Sequence, residues 1–396
     1  MSKNNHSGGN PVFGQLISYI KKPLVQRAID AHQSDKYCKR FGTYEHLVSM
    51  LYAVTAQCYA LREVSSGIQA FENRLHHLGM KCTVAKSTLA DANKRRDSSV
   101  FAKIHELLVT KYTDILSDSQ TDTIVSRVKI IDSTTISLFK EILKTGGRKR
   151  SDGKRKGGIK AHTVMSLATP LPSVKWYTDA TVSDHRFLTR CPLQQGDIAV
   201  FDKGYYNFSA FEQFTQKGIG FVTRLKDNAN YRSTARQTIT DPAVLKDENI
   251  VMGINRSSKI TLNLRLVHYR DSSTKQLFRF LTNLTEFDAS YIALLYKKRW
   301  QIELMFKKLK QNFQVRYFLG DNANAIEIQL WAALIANLLF TIVKKQLRRR
   351  WAFSNLVAIV RLHLVSYFNL FAHLEFPDKH IIFYKPPDND AQLSFF

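Results

Sequence analysis

Apolar residues recur at helical spacing from about residue 12 to residue 118, with few strand signals even across long stretches such as 46–77, so a run of helices is expected there. The period then shortens. Residues 126–132 form an apolar run that turns polar at Asp132. Residues 197–202 form a short buried run that ends in Asp202, a turn at Gly204 and the start of a helix near Asn207. Between them, residues 162–167 and 173–177 supply a hairpin. The order over about 125–221 is therefore β-β-β-α-β-α, and the Asp202 run suits a mainly parallel sheet. Strand character continues through about 222–287. It is clearest where Ile260, Leu262, Leu264 and Leu266 alternate with Thr261, Asn263 and Arg265, the period of a half-buried antiparallel strand. Helical spacing returns at 296–310, followed by the most apolar run, Leu330 to Val343. At about 14 residues, with Asn337 inside it, that run is too short to span a bilayer and reads as a buried helix.

The chemistry lies on the stretch 296–310. Wound at about 100° per residue, Tyr296, Arg299, Glu303 and Lys310 fall at roughly 0°, 300°, 340° and 320°, one stripe about 60° wide and about 21 Å long. Leu295, Ile302, Met305, Phe306 and Leu309 form a separate apolar face for a core. An ordinary amphipathic surface helix would show the same two faces. A lone carboxylate flanked by a phenol, a guanidinium and an ammonium also suits a site that handles a metal and a phosphodiester together. Asp132 and Asp202, at strand ends, supply two more hard oxygen donors, although each alone also fits a turn or cap. Three such carboxylates suit Mg²⁺ or Mn²⁺ rather than zinc. Two ions about 4 Å apart activate a water or a 3′-hydroxyl and stabilise the leaving oxygen at phosphorus. Asp197 precedes its apolar run and belongs at the far strand end, about 17 Å from Asp202. For Asp122, Asp179 and Asp184 a local turn role is enough.

The spacing Tyr296-x2-Arg299-x3-Glu303-x6-Lys310 resembles the signature of the insertion sequence 4 group of bacterial DDE transposases, and Asp132, Asp202 and Glu303 follow in the matching order. The match covers most of residues 125–345. It implies an α/β fold: a ribonuclease H-like core with Asp132 and Asp202 on its first and fourth strands, interrupted by a β-rich insertion ahead of the Glu303 helix. The implied organisation is a helical, terminal-repeat-binding segment at 1–120, the core in two parts at 121–221 and 288–370, the insertion at 222–287 and a tail at 371–396. The implied reaction is cut-and-paste transposition. Asp132, Asp202 and Glu303 hold two Mg²⁺ ions, water cuts the element's end, and the freed 3′-hydroxyl attacks, with release through a hairpin and joining to target DNA. Tyr296, Arg299 and Lys310 would then grip the phosphate near the hairpin. The implied partners are double-stranded terminal inverted repeats, target DNA and a second copy of the chain. Relatives stack a flipped base on a tryptophan of the insertion, but the four tryptophans here are Trp176, Trp300, Trp331 and Trp351, all outside it. Trp300 or Tyr231 would have to serve, and Trp300 suits a core equally well.

Composition agrees. A net charge of +25 and a pI near 9.9 favour a polyanionic partner, because each lysine or arginine set on a phosphate releases condensed counterion. With 44% hydrophobic residues the chain can bury a core. Cys38, Cys58, Cys82 and Cys191 form no C-x2-C pair, so neither a zinc knuckle nor a disulfide framework is indicated. The first residues lack the apolar core of a signal peptide, and a cytoplasmic protein acting at the nucleoid, with no membrane partner, is expected.

Two further basic segments are candidate DNA contacts. Residues 86–96 carry a Thr88-to-Asp91 capping-box pattern and then Asn93, Lys94, Arg95 and Arg96. As a recognition helix this would offer Asn93 and Arg95 to base edges and Lys94 or Arg96 to phosphates; a solvated helix end reads the same way. Residues 144–158, with Arg148, Lys149 and Arg150, read as a Gly-rich basic loop lying on DNA or disordered, and their glycines match no P-loop. Two other readings share the residues. A ribonuclease H-like structure-specific nuclease keeps the acids without strand joining, and an inactive transposase-derived DNA-binding protein would have lost one of them.

Overall fold

The computed structural model describes residues 10–116, 123–137, 147–149, 155–167, 172–179, 182–253, 260–315 and 317–377. Helices occupy 12–116, chief among them Lys22–His32, Thr43–Thr55, Leu61–Gln69, Lys86–Arg95 and Ser99–Lys111. Ten strands follow: β1 Val128–Ser137, β2 Gly147–Lys149, β3 Arg155–Ser166, β4 Pro172–Asp179, β5 Ile198–Val200, β6 Gly220–Arg224, β7 Tyr231–Arg236, β8 Val244–Met252, β9 Leu262–Arg270 and β10 Leu277–Thr282. The fold is mixed α/β around one large sheet.

Its order is β2-β3-β1-β5-β6-β10-β9-β8-β7, with β4 also paired to β3. β1, β5 and β6 run parallel, while β3 lies antiparallel to β1, and β4 to β3. The middle strand shows why the parallel part stays buried. Ile198, Ala199 and Val200 are all buried, and a strand covered on both faces must be apolar throughout. Gly196, at φ +86°, makes the turn before it, and Asp197 Oδ2 accepts from the Gln194 backbone N–H at 2.9 Å. Asp197 is a turn residue at the start of β5, where the sequence places it.

The β-rich stretch extends this sheet. β10 pairs antiparallel with β6, then β9, β8 and β7 continue outward. β7 escapes the alternation test because the edge strand Tyr231–Arg236 leaves five of its six residues exposed, and β8 because it buries the acids Asp247 and Glu248 among its apolar residues. Part of the supposed basic loop is also paired. Gly147–Lys149 bonds antiparallel to residues 155–157, which puts Arg148 and Lys149 on a strand rather than in a free loop. Arg150 and Asp122 lie outside the described residues.

The helices before residue 117 share their core with helices from the other end of the described chain. Buried residues from Val12 to Leu116 and from Leu309 to Leu374 form one apolar cluster. At its centre lies Ala323–Gln346, longer than the run seen in the sequence, with 17 buried residues, the long apolar helix against which Thr43–Thr55, Lys86–Arg95 and Ser99–Lys111 all pack. It is long and apolar enough to cross a membrane by composition, yet 89% of its most apolar window is covered by the rest of the chain. Polar contacts fasten the same interface. Asn324 Nδ2 donates to the carbonyls of Asn93 and Arg96, and Ser98 Oγ donates to Glu327. The backbone joins the same two regions, with the Val12 and Phe13 amides donating to the Ser366 and Leu364 carbonyls.

Two outcomes follow. Leu338→Ala, at a site with no exposure, should cost about 2–5 kcal/mol in denaturant unfolding. A fragment lacking residues 1–118 bares the central helix and should be insoluble or molten, judged by near-UV circular dichroism and dye binding. A soluble, cooperatively unfolding fragment would show that the helical segment is separable after all.

Candidate active site

The register of the three parallel strands builds this site. Val128 pairs with Ile198 and Ile198 with Gly220, and these pairings run on to Ile130, Val200 and Val222. Two residues further, the same alignment sets Asp132, Asp202 and Arg224 side by side, on backbones roughly 4.8 Å apart. Asp202 and Arg224 stand at strand ends, whereas Asp132 lies inside β1, which runs on to Ser137 against β3 and so extends past the end that the sequence suggests. The Glu303 helix completes the group. The stretch 289–312 is two helices, Ala289–Lys298 and Trp300–Asn312, with Arg299 at the junction in αR geometry and i→i+3 backbone bonds on either side. The helical path is tightened at Arg299 rather than uniform.

Asp202 Oδ1 accepts three hydrogen bonds, from Arg224 Nη2 at 2.7 Å, Arg224 Nε at 3.1 Å and Tyr296 Oη at 2.9 Å. Burial raises its pKa, but the Arg224 and Tyr296 bonds outweigh burial and hold the carboxyl below its usual range. Arg299 Nη1 lies 2.6 Å from Glu303 Oε1 and 3.8 Å from Asp132 Oδ2, so one guanidinium bridges two of the acids. Asp132 is pushed up to about 6. Burial is the main cause, with Glu303 and Asp184 adding to it and the Ser133 amide and Arg299 opposing it.

Tyr296 is corrected by its surroundings. At 7% exposure, packed on Phe280 and donating to Asp202, it orients an acid and has no face for a phosphate. Trp300 is 57% exposed, which removes the core alternative for it. Lys310 lies two turns beyond Glu303 on the same helix, half-buried. Tyr231 packs, partly buried, against the cluster under the sheet.

Four neighbours escape the sequence. Asp184 Oδ1 accepts from Ser133 Oγ at 2.8 Å and lies 3.1 Å from Lys160 Nζ and 3.8 Å from His162 Nδ1, so it is more than a turn residue. Lys160 and His162 come near Asp132 through the pairing of β3 with β1, and Asp184 from the loop after β4, none of which leaves a periodic trace. Arg224 had a signal: it ends the apolar strand β6, as Asp202 follows the apolar strand β5.

The proposed recognition helix is corrected too. Lys86–Arg95 starts after Ala85 without a side-chain cap, so Thr88 and Asp91 form no capping box at its start. Asn93 is 1% exposed and its Oδ1 lies 2.7 Å from His46 Nε2; Arg96 is 7% exposed and donates to the Phe41 carbonyl. Both are core residues, unavailable to base edges or phosphates. Lys94 is exposed, and Arg95 is exposed in an ion pair with Asp91 at 2.7 Å.

The oxygen donors suit a hard divalent cation in kind. Among the described residues no three acids, thiols or imidazoles converge as they stand, and Arg299 and Arg224 pair with the carboxylates instead. Asp132, crowded by Glu303 and Asp184, is the acid least compensated, and Glu303 is exposed enough to turn toward it.

This generates a pH test. Near pH 3 Asp132 is largely protonated whether folded or not. From about pH 3 to 6 the unfolded chain loses the proton first, so the wild-type fold weakens, and above 6 the whole penalty stands. Asp132→Asn, measured in chelator, should therefore be more stable than wild type by on the order of 1–2 kcal/mol at pH 7.5 and no more stable at pH 3. A pH-independent difference would rule out this account of the carboxyl.

The family model described as a transposase DDE domain matches residues 124–339, and a model for a domain of unknown function matches residues 8–81. A Sinorhizobium fredii protein provisionally named a transposase is 34% identical over 265 residues, 65% of this chain and 71% of its own. A Geobacillus stearothermophilus protein, named as the probable transposase of insertion sequence element IS5377, is 28% identical over 56% of this chain and 58% of its own. Among solved structures, a piggyBac transposase synaptic complex with hairpin DNA aligns over 93% of this chain and 82% of that one at 10% identity and a TM-score of 0.41, too slight a likeness to establish the fold.

Proposed function

The chain belongs to the transposases with a DDE domain, enzymes that act on DNA, and from that premise we propose that Asp132, Asp202 and Glu303 are its catalytic acids. One observation carries the assignment: Asp132, within β1, and Asp202, just past the end of β5, lie on adjacent parallel strands in register, and Arg299 ties Glu303 to Asp132. Divalent ions are usual for such domains, and these three carboxylates are the residues that would hold two Mg²⁺. Bound there, the ions would activate a water or 3′-hydroxyl and stabilise the leaving oxygen.

The chain's own residues do the positioning. Tyr296 and Arg224 keep Asp202 ionised and fixed. Arg299, a planar fork with Nε buried and unbonded, can turn one edge to a phosphodiester while the other stays with Glu303. Lys310 offers a point charge further along the same helix. Strand topology supports reading β1, β3, β4, β5 and β6 as a ribonuclease H-like core, and β7 to β10 as the insertion ahead of the glutamate. The Tyr-Arg-Glu-Lys spacing supports the insertion sequence 4 group, cut-and-paste chemistry through a hairpin, and a homodimer bridging two terminal repeats. The charge of +25 supports action at the nucleoid.

Asp132→Asn, Asp202→Asn and Glu303→Gln should each bind element-end duplex near normally, yet lose cleavage and strand transfer by at least about 10³-fold with Mg²⁺. Asp197→Asn, at the opposite end of β5, should cut normally. Full cleavage by any one of the three at saturating DNA and Mg²⁺ would remove that residue from the triad.

A further inference from the structure

On the flank of Asp202 away from Asp132, a cavity of about 270 Å³ opens over β6, β10 and β9. Lys203, Arg224 and Arg279 line it with His268, against a single acid, Asp227. Arg224 is already committed to Asp202. The other two cations share Asp227, whose Oδ2 lies 3.3 Å from Lys203 Nζ and whose Oδ1 lies 2.9 Å from Arg279 Nη2. The Asp227 side chain is nevertheless 81% exposed. One carboxylate, reached from solvent, spans two cations with its two oxygens, as a phosphodiester does with its two free oxygens. Leu245, Leu277 and Phe278 add an apolar wall, and Leu277 is 60% exposed beside it.

We propose that this cavity is a phosphodiester subsite for the DNA strand leading away from the catalytic acids, and that Asp227 is its built-in competitor. The inference rests on the DNA-acting reading above. Without DNA the carboxylate holds Lys203 and Arg279 in place and keeps their charges from other anions. A strand running past Asp202 displaces it, because a phosphate in a polyanion also gains the release of its counterions, which a lone carboxylate cannot match. The deoxyribose then lies against Leu245, Leu277 and Phe278. Asp227 thereby raises the threshold for unspecific binding at a site next to the chemistry.

The experiment is anisotropy titration of the full chain with a labelled duplex oligonucleotide in chelator, over a range of salt. Asp227→Asn should tighten binding about threefold to tenfold at low salt. Lys203→Gln and Arg279→Gln should each weaken it and reduce the slope of log K against log salt by about 0.9. Adding Asp227→Asn to Arg279→Gln should restore little. The control is Glu106→Gln, an exposed acid paired with Lys103 on a distant helix, which should change affinity less than about twofold. Equal gains from Asp227→Asn and Glu106→Gln, or an undiminished gain in the double variant, would reduce Asp227 to a bulk charge effect and overturn the subsite. A protein that binds and cuts DNA with Asp227 inert loses only this inference. A protein that binds no DNA loses the parent reading as well.

Discussion

The alignment of three parallel strands governs this molecule. Because β1, β5 and β6 lie in step, Asp132 within β1 is level with the polar ends of β5 and β6, and Asp132, Asp202 and Arg224 become neighbours although they are far apart in sequence. A slip of one residue in β5 would turn Asp202 to the other face and break its bonds to Arg224 and Tyr296. The apolar run of β5 and the turn at Gly196 ahead of it guard against that slip. The long antiparallel ladder of β1 with β3 anchors the other side.

Electrostatics decides how such an acid cluster survives in a folded protein. Three carboxylates near one another repel, and the chain answers with fixed cations in place of bulk screening. Arg299 lies between Glu303 and Asp132, Arg224 grips Asp202, and Lys160 neighbours Asp184. The compensation is uneven. Asp202 is held ionised while Asp132 is pushed toward protonation, so the acids are inequivalent before any ligand arrives.

Much of this was readable in the chain, and the failures have physical causes. Asp132 and Asp202 were legible because each stands where an apolar run turns polar, although at Asp132 the strand does not end but continues along β3 to Ser137. The spacing from Tyr296 to Lys310 was legible as a stripe, yet it gave Tyr296 the wrong task, since angular position on a helix does not tell solvent from a neighbouring sheet. Asn93 and Arg96 misled for the same reason. A polar, basic helix end looks exposed until His46 and the Phe41 carbonyl are found against it. Asp184 and Lys160 left no trace, because their meeting depends on how β3 and the loop after β4 lie against β1. The edge strand Tyr231–Arg236 was missed because little of it is buried, and burial is what writes a period into sequence.

The shared apolar cluster has a consequence for how the protein comes to be made. Residues near the start of the chain complete their packing only against Ala323–Gln346, and Val12 and Phe13 donate to carbonyls at 366 and 364. During synthesis the helices before Leu116 must therefore wait, with part of their apolar faces uncovered, until Ala323–Gln346 has emerged. Contacts of such long sequence separation slow folding and lengthen exposure to aggregation. A truncated product, lacking the central helix, cannot close around its own beginning, so a nicked or prematurely ended copy is disarmed by its packing before its chemistry is ever assembled.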